Sequence, residues 1–361
     1  MPFAVVSPIL SRMSEEGQRS PEAWFHEVAT HYVEAQVLFH LNRAGVLEAI
    51  DRSSAIAVED LAAQLGLQRD PLETLLDYVI GVDRLLHRDD QGRVRFTAWG
   101  HEVLERYGRV GQDGARTFNF FDVRVGAYGP VWAALGGLLS GEERYGETLA
   151  RAGDEAAQGV YTVGARFGGA LGGLIDELGP STFVEIGVTS GLASYVGASR
   201  PRLRLVGLDR DRAALDQART RAEADGVHEV HWLECDLFDL DQWVPTLASF
   251  EPGVITTVHL HEILAGGAPR LIQLLRDLSE RLPGWHLIGL EQPLLPEADR
   301  AETSPPLWLY NHSNVLIHHL IGNGRILTEN GWMEVFEKAG VQVTGAEGLN
   351  YLGYKAYTIR L

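Results

Sequence analysis

Residues 182–199 read "TFVEIGVTSGLASYVGAS". A short apolar run ends in a glycine turn, and a helical pattern begins at once. A buried strand that feeds a helix through a glycine turn is the repeating unit of a parallel α/β sheet. The alternation continues downstream. "LRLVGLD" (203–209) reads as a strand, "RAALDQARTRAEADG" (212–226) as a helix, and "EVHWLECD" (229–236), "VITTVHLHE" (254–262) and "WHLIGLEQ" (285–292) as further strands. The predicted fold class is α/β: a Rossmann-like, doubly wound parallel sheet over 181–361.

Upstream the pattern differs. Apolar residues recur at helical spacing over 21–50, broken at Gly45. Residues 58–100 then read helix, turn, helix, hairpin, with Gly66 closing a helix and Asp89–Gly92 supplying the hairpin turn. That is a winged-helix pattern. The expected organisation is an arm over 1–20, a winged-helix dimerisation domain over 21–110, a helical linker and pocket segment over 111–180, and the sheet domain. The aromatic stretch "FNFFDVRVGAYGPVW" (118–132) offers Phe118, Phe120, Phe121 and Trp132 as pocket walls, joined by Trp308 and Tyr310.

Composition narrows the partners. The formal net charge is −18 over 361 residues, which repels phosphate backbones and anionic membranes. Arg69 is the only basic residue in 58–80, where a DNA-reading helix needs several. A winged-helix regulator that senses a metabolite is therefore the lesser reading. One cysteine, Cys235, excludes an internal disulfide and fits a reducing cytoplasm. No run reaches the roughly 20 apolar residues of a membrane span, and no secretory signal opens the chain.

"VEIGVTSG" (184–191) places Glu185, Gly187 and Gly191 in the strand-to-helix turn. A dinucleotide fingerprint needs a glycine where Thr189 stands, so NAD and FAD are disfavoured. Glu185 before the glycine points to a ligand carrying a cation. Asp209 ends the next strand, where a carboxylate can take two ribose hydroxyls. Asp236, followed by Leu237, ends the third, near an adenine amino group. Acids at three successive strand ends point to S-adenosylmethionine, against the alternative that they cap helices.

The order of winged helix, helical linker, glycine turn, "VHLHE" (258–262), "GLEQPLLP" (289–296) and "GRILTENGW" (324–332) resembles class I O-methyltransferases of the plant phenol and bacterial antibiotic type, over about residues 20–361. In that family a histidine followed by an acid ends the fourth strand and deprotonates a phenol. The resemblance puts His261 in that role, with Glu291 steadying it, and implies a homodimer.

Two further histidines change the weighting. His261, Glu262 and one of His318 or His319 make a two-histidine, one-carboxylate set, the facial arrangement of substrate-chelating metals. His259 reads as a buried strand histidine or a partner of a ligand. The chain also resembles the bacterial α-keto acid C-methyltransferases, which bind iron or zinc through a histidine–acid pair and a histidine thirteen residues before the tryptophan of "R-x-x-T-E-x-x-W". Counting back from Trp332, that histidine is His319. The resemblance further implies an arginine on the substrate carboxylate, Arg151, with Arg144 as the alternative. The expected activity is methylation of the β-carbon of an apolar 2-oxo acid of the 4-methyl-2-oxovalerate or phenylpyruvate type, supplying β-methyl amino acids for peptide antibiotics. A metal ion chelated by the keto and carboxylate oxygens would stabilise the enolate as a Lewis acid. The competing expectations are an O-methyltransferase with His261 as general base, and a cofactor-binding fold-mate catalysing a rearrangement.

Overall fold

The computed structural model describes residues 20–82, 84–107, 109–110, 116–117, 122–152, 167–349 and 352–361. The expected arm lies outside these except for Ser20, as do Phe118, Phe120 and Phe121. The chain divides into two units, residues 1–106 and 107–361.

The first unit carries helices Pro21–Arg43, Val46–Ser53, Val58–Leu65 and Arg69–Val82, then a hairpin of β1 (Leu86–Arg88) and β2 (Val94–Phe96). Local chemistry sets these boundaries. The Ser20 hydroxyl accepts from the Ala23 N–H at 3.1 Å and caps the first helix. Gly66, at φ +66°, ends the third helix in the left-handed region that glycine adopts without strain. The Asp89 carboxylate accepts the N–H groups of Gln91 and Arg93 and closes the hairpin. Arg69 is ion-paired to Glu59 and Glu73. The helix Pro21–Arg43 leaves Trp24, Phe25, Val28, Tyr32 and Val33 exposed.

The second unit opens with the two-residue strands β3 (Arg109–Val110) and β4 (Arg116–Thr117) and is built on one seven-stranded sheet. Its strands are β5 (Thr182–Ile186), β6 (Arg204–Asp209), β7 (Val230–Glu234), β8 (Val254–Val258), β9 (His286–Glu291), β10 (Gln342–Gly348) and β11 (Lys355–Arg360), in the order β10-β11-β9-β8-β5-β6-β7. The first five pair in parallel, as the strand–helix alternation predicts. β11 runs antiparallel to β9, and β10 antiparallel to β11. The parallel, doubly wound sheet expected from sequence is thus present, extended at one edge by an antiparallel pair that the alternation did not announce. Too few residues separate β10 from β11 for a crossover helix, so they return as a hairpin.

Side-chain alternation assigns the two faces of the sheet. Val184, Val206, Ile255 and Leu287 pack with Trp243, Leu271, Trp332 and Phe336 on one face. Their neighbours Phe183, Leu205, Val254 and Ile288 pack with Phe167, Leu171, Leu192 and Val196 on the other. Both faces are covered, so the strands read as continuous apolar runs. The strand order reverses between β5 and β8, and such a switch point opens a crevice at the carboxyl ends of the strands. No helix among the described residues is long and apolar enough to cross a membrane.

Candidate functional site

A cleft of about 520 Å³ opens at that switch point. Gly187, Thr189, Asp209, Asp236 and Leu237 line one end of it, and His259, Glu262, Asn323 and Arg151 the other. The turn after β5 keeps Gly187 at φ +77°. Asp209 accepts the N–H groups of Val188 and Asp211 at 3.2 and 2.9 Å, which fixes its carboxylate beside the turn. Burial raises its pKa above the usual carboxylate range. Asp236 accepts the Phe238 N–H at 2.9 Å. Both acids stand where the sequence places them.

Glu185 does not. It is buried, and its carboxylate accepts from the Ser190 hydroxyl and from the Leu192 and Ala193 N–H groups at 3.1 and 2.8 Å. These are free donors of the first turn of helix Leu192–Ser199, so the structure corrects Glu185 from a ligand contact to a helix cap. Gly191, at φ +70°, opens the same helix and is not part of the cleft wall.

The histidines lie behind the opposite end. β8 stops at Val258, and His259 takes a left-handed backbone conformation, φ +64°. The chain then enters the short helical turn Leu260–Gly266. This kink turns His261 inward, where it is fully buried. Its Nδ1 lies 2.8 and 2.9 Å from the two carboxylate oxygens of Glu291, and its backbone N–H donates to the same carboxylate at 2.7 Å. Burial alone would lower the His261 pKa, but the adjoining carboxylate outweighs it and holds the pKa raised. Nε2 of His261 lies 3.0 Å from Nδ1 of His318. His318 is held well below the ordinary histidine pKa, first by burial and then by the charge of His261. Burial likewise pushes His259 down to about 3, and its Nε2 lies 2.9 Å from the Tyr354 hydroxyl.

His261, Glu262 and His318 each present a ligand atom, all within 4.8 Å of one another. The expected third ligand, His319, is exposed. Helical phase explains the correction. On helix Pro305–Leu320 the buried polar positions are Asn311, Asn314 and His318, at three- and four-residue spacing on one face, and His319 is turned about 100° away. Two nitrogens held at ~2.1 Å by one ion in a cis arrangement stand ~3 Å apart, so the His261–His318 separation fits a shared metal. Glu291 on the far nitrogen of His261 completes the pattern of a carboxylate that orients a ligating imidazole. Glu262, whose side chain is 41% exposed, borders the cleft and would leave an ion open on that side.

Of the two candidate arginines, Arg151 lines the cleft and donates to the Tyr128 hydroxyl at 3.2 Å. Arg144 faces solvent beside Glu147. The "R-x-x-T-E-x-x-W" residues serve architecture: Thr328 caps helix Glu329–Ala339 and Trp332 is fully buried. Trp132, Trp308 and Tyr310 are half-buried. Sequence reasoning missed Asn323, whose amide donates to Glu262 Oε1 at 2.6 Å, and Tyr354. It also missed Gly324, at φ +87°, where a Cβ would fall 1.8 Å from the His261 carbonyl oxygen. The only written signal was the pair of glycines flanking Asn323.

No protein-family model and no curated protein matches the chain. Solved structures do. A candidate O-methyltransferase from Nostoc punctiforme superposes with a TM-score of 0.69 at 16% identity, over 95% of this chain and all of that one. The mitomycin 7-O-methyltransferase MmcR gives 0.64 at 16%, over 94% and 97% of the two chains. Human N-acetylserotonin methyltransferase, solved in complex with SAM, gives 0.63 at 16%, over 96% and 99%. The fold is the one these methyltransferases share.

Gly324 offers a test of the docking on His261. Gly324→Ala combines a left-handed backbone, which costs ~1–2 kcal/mol, with a clash that displaces the loop, typically ~1–3 kcal/mol more. Gly322→Ala, at φ +66° with no atom near its Cβ, carries only the first cost. Chemical denaturation should rank the two variants in that order, and equal losses would show that the loop does not rest on His261.

Proposed function

We propose that the protein is an S-adenosylmethionine-dependent methyltransferase, acting in the cytoplasm, that methylates the β-carbon of an apolar 2-oxo acid with the help of a metal ion held by His261, Glu262 and His318. The observation that carries this reading is the convergence of those three ligand atoms within 4.8 Å beside the cleft. Methyl transfer is supported by the fold shared with solved methyltransferases. Asp209 would take the ribose hydroxyls of the cofactor, and Asp236 with Leu237 would adjoin its adenine. The activated methyl comes from the cofactor.

An iron or zinc ion there would serve as a Lewis acid, making the β-carbon of a chelating 2-oxo acid easier to deprotonate. The chain's own residues do the rest. Glu291 accepts the Nδ1 proton of His261 and so turns the Nε2 lone pair toward His318. Asn323 holds one oxygen of Glu262 and leaves the other free. The Leu260–Gly266 turn and the buried face of helix Pro305–Leu320 keep the two imidazoles away from bulk water.

A second reading is favoured by the His261–Glu291 pair itself and by the likeness to O-methyltransferases. A carboxylate on Nδ1 also prepares Nε2 as a general base toward a phenol or hydroxyl. Against it stands geometry: His261 has no exposed surface, and its Nε2 is engaged with His318 at 3.0 Å.

The exposed apolar face of helix Pro21–Arg43 supports a homodimer, with a second copy covering Trp24, Phe25 and Tyr32. An acidic surface makes nucleic acid and anionic membranes poor partners.

Three outcomes follow. Calorimetry should show S-adenosylhomocysteine binding, weakened at least tenfold, or ~1.4 kcal/mol, by Asp209→Ala; unchanged affinity in a folded variant removes Asp209 from the site. Sedimentation should give a dimer, and a monomer at micromolar concentration would end that assignment. Hydrogen–deuterium exchange at the β-carbon of 4-methyl-2-oxovalerate reports enolisation without methyl transfer. The untreated protein should catalyse it, and a chelator or alanine at His261, Glu262 or His318 should stop it, while His319→Ala should not. Full methyl transfer after chelation, with His318→Ala near normal, would return His261 to the role of a base in O-methylation.

A further inference from the structure

Arg124 is a buried cation with no part in the chemistry above. It sits in a π-helical turn, Asp122–Ala127, a rare geometry that recurs at functional positions. Its carbonyl accepts the Trp132 indole N–H at 2.8 Å, and its guanidinium stands 4.8 Å from the centre of the Tyr310 ring. One terminal nitrogen, Nη2, donates to Asn314 Oδ1 at 2.5 Å. The other, Nη1, is buried without an acceptor, and so is Nδ2 of Asn314. Arg124 is 8% exposed and Asn314 4%, and no carboxylate among the described residues pairs with the guanidinium.

A buried guanidinium without a counter-charge is among the costlier arrangements in a protein interior. Here two side chains joined by one hydrogen bond each keep a further donor, Nη1 and Asn314 Nδ2, without a partner. Both donate and neither can accept. A group that satisfies both must carry acceptor-only oxygens, and one that also balances the guanidinium must be negative. A carboxylate meets both demands, with two oxygens for two donors. The position is also telling. Asn314 lies one helical turn before His318 on the same buried face. The orphan pair therefore shares a buried helix face with His318. Arg151, by contrast, already donates to Tyr128.

We propose that Arg124 and Asn314 form the carboxylate-binding pair for the methyl acceptor, ahead of Arg151. This rests on the methyltransferase reading but not on the choice between carbon and oxygen as the methylated atom. The acceptor is then an acid, and its carboxylate is anchored one helical turn from His318.

Calorimetry on the full chain with phenylpyruvate, its methyl ester and S-adenosylhomocysteine tests the pair. The wild type should prefer the acid to the ester at least tenfold, and Arg124→Gln should abolish the preference. Asn314→Asp is the sharper variant. It gives Arg124 an internal counter-charge, so it should lose acid binding at least tenfold while its unfolding temperature rises. S-adenosylhomocysteine affinity should stay within twofold throughout. Acid binding kept within twofold in either folded variant overturns the proposal, as does a wild type that binds acid and ester alike or binds neither. A wild type that binds the acid through Arg124 but not S-adenosylhomocysteine leaves the pair standing and removes the methyltransferase reading.

Discussion

The buried contact between His261 and Glu291 is the constraint on which the site depends. One carboxylate at the end of β9 accepts from the imidazole Nδ1, from the His261 backbone and from the Gln292 backbone, and none of these groups reaches solvent. A carboxylate in that position would be costly without these donors, and together they make it a rigid post. The post fixes the tautomer of His261, the direction of its Nε2 and the path of the chain as it leaves β8. His318, Glu262 and the Asn323 loop are all placed relative to that ring.

The sheet makes such a post possible. β8 and β9 are parallel neighbours, so their carboxyl ends lie side by side although Val258 and Glu291 are far apart in sequence. The same geometry puts the turn after β5 and the ends of β6 and β7 along the other half of the cleft. The two halves differ in character. The Gly187–Asp236 end is polar and partly exposed, suited to hydrogen-bond a hydrophilic ligand reversibly. At the other end His261 and His318 are buried, so charges placed beside them interact strongly.

The strands β5 to β9 and the acids at the ends of β6 and β7 were legible because each is a local pattern: a short apolar run, a glycine turn, a carboxylate at a strand terminus. The hairpin wing was legible for the same reason. Glu185 was misread because an acid before a glycine turn can serve a ligand or its own helix, and only the coordinates show Leu192 and Ala193 donating to it. His319 was misread because counting residues back from Trp332 ignores helical phase, and the phase is set by which face of Pro305–Leu320 packs inward. Arg124 and Asn314 left no local signal, since they meet across most of the chain and within a π turn that periodicity cannot anticipate. The antiparallel return of β10 and β11 follows from loop length, a cue the alternation of strands and helices conceals.

His259 carries a last consequence. A histidine at φ +64° stores strain of ~1–2 kcal/mol that glycine would release, yet it is this kink that turns His261 inward and lays the His259 ring against Tyr354. Glycine would keep the kink and release the strain, but it would also remove a largely buried ring and its contact with Tyr354. Backbone and side chain therefore pull on this position in opposite directions, and a population of variants drifting under selection weighs the one against the other at this single residue.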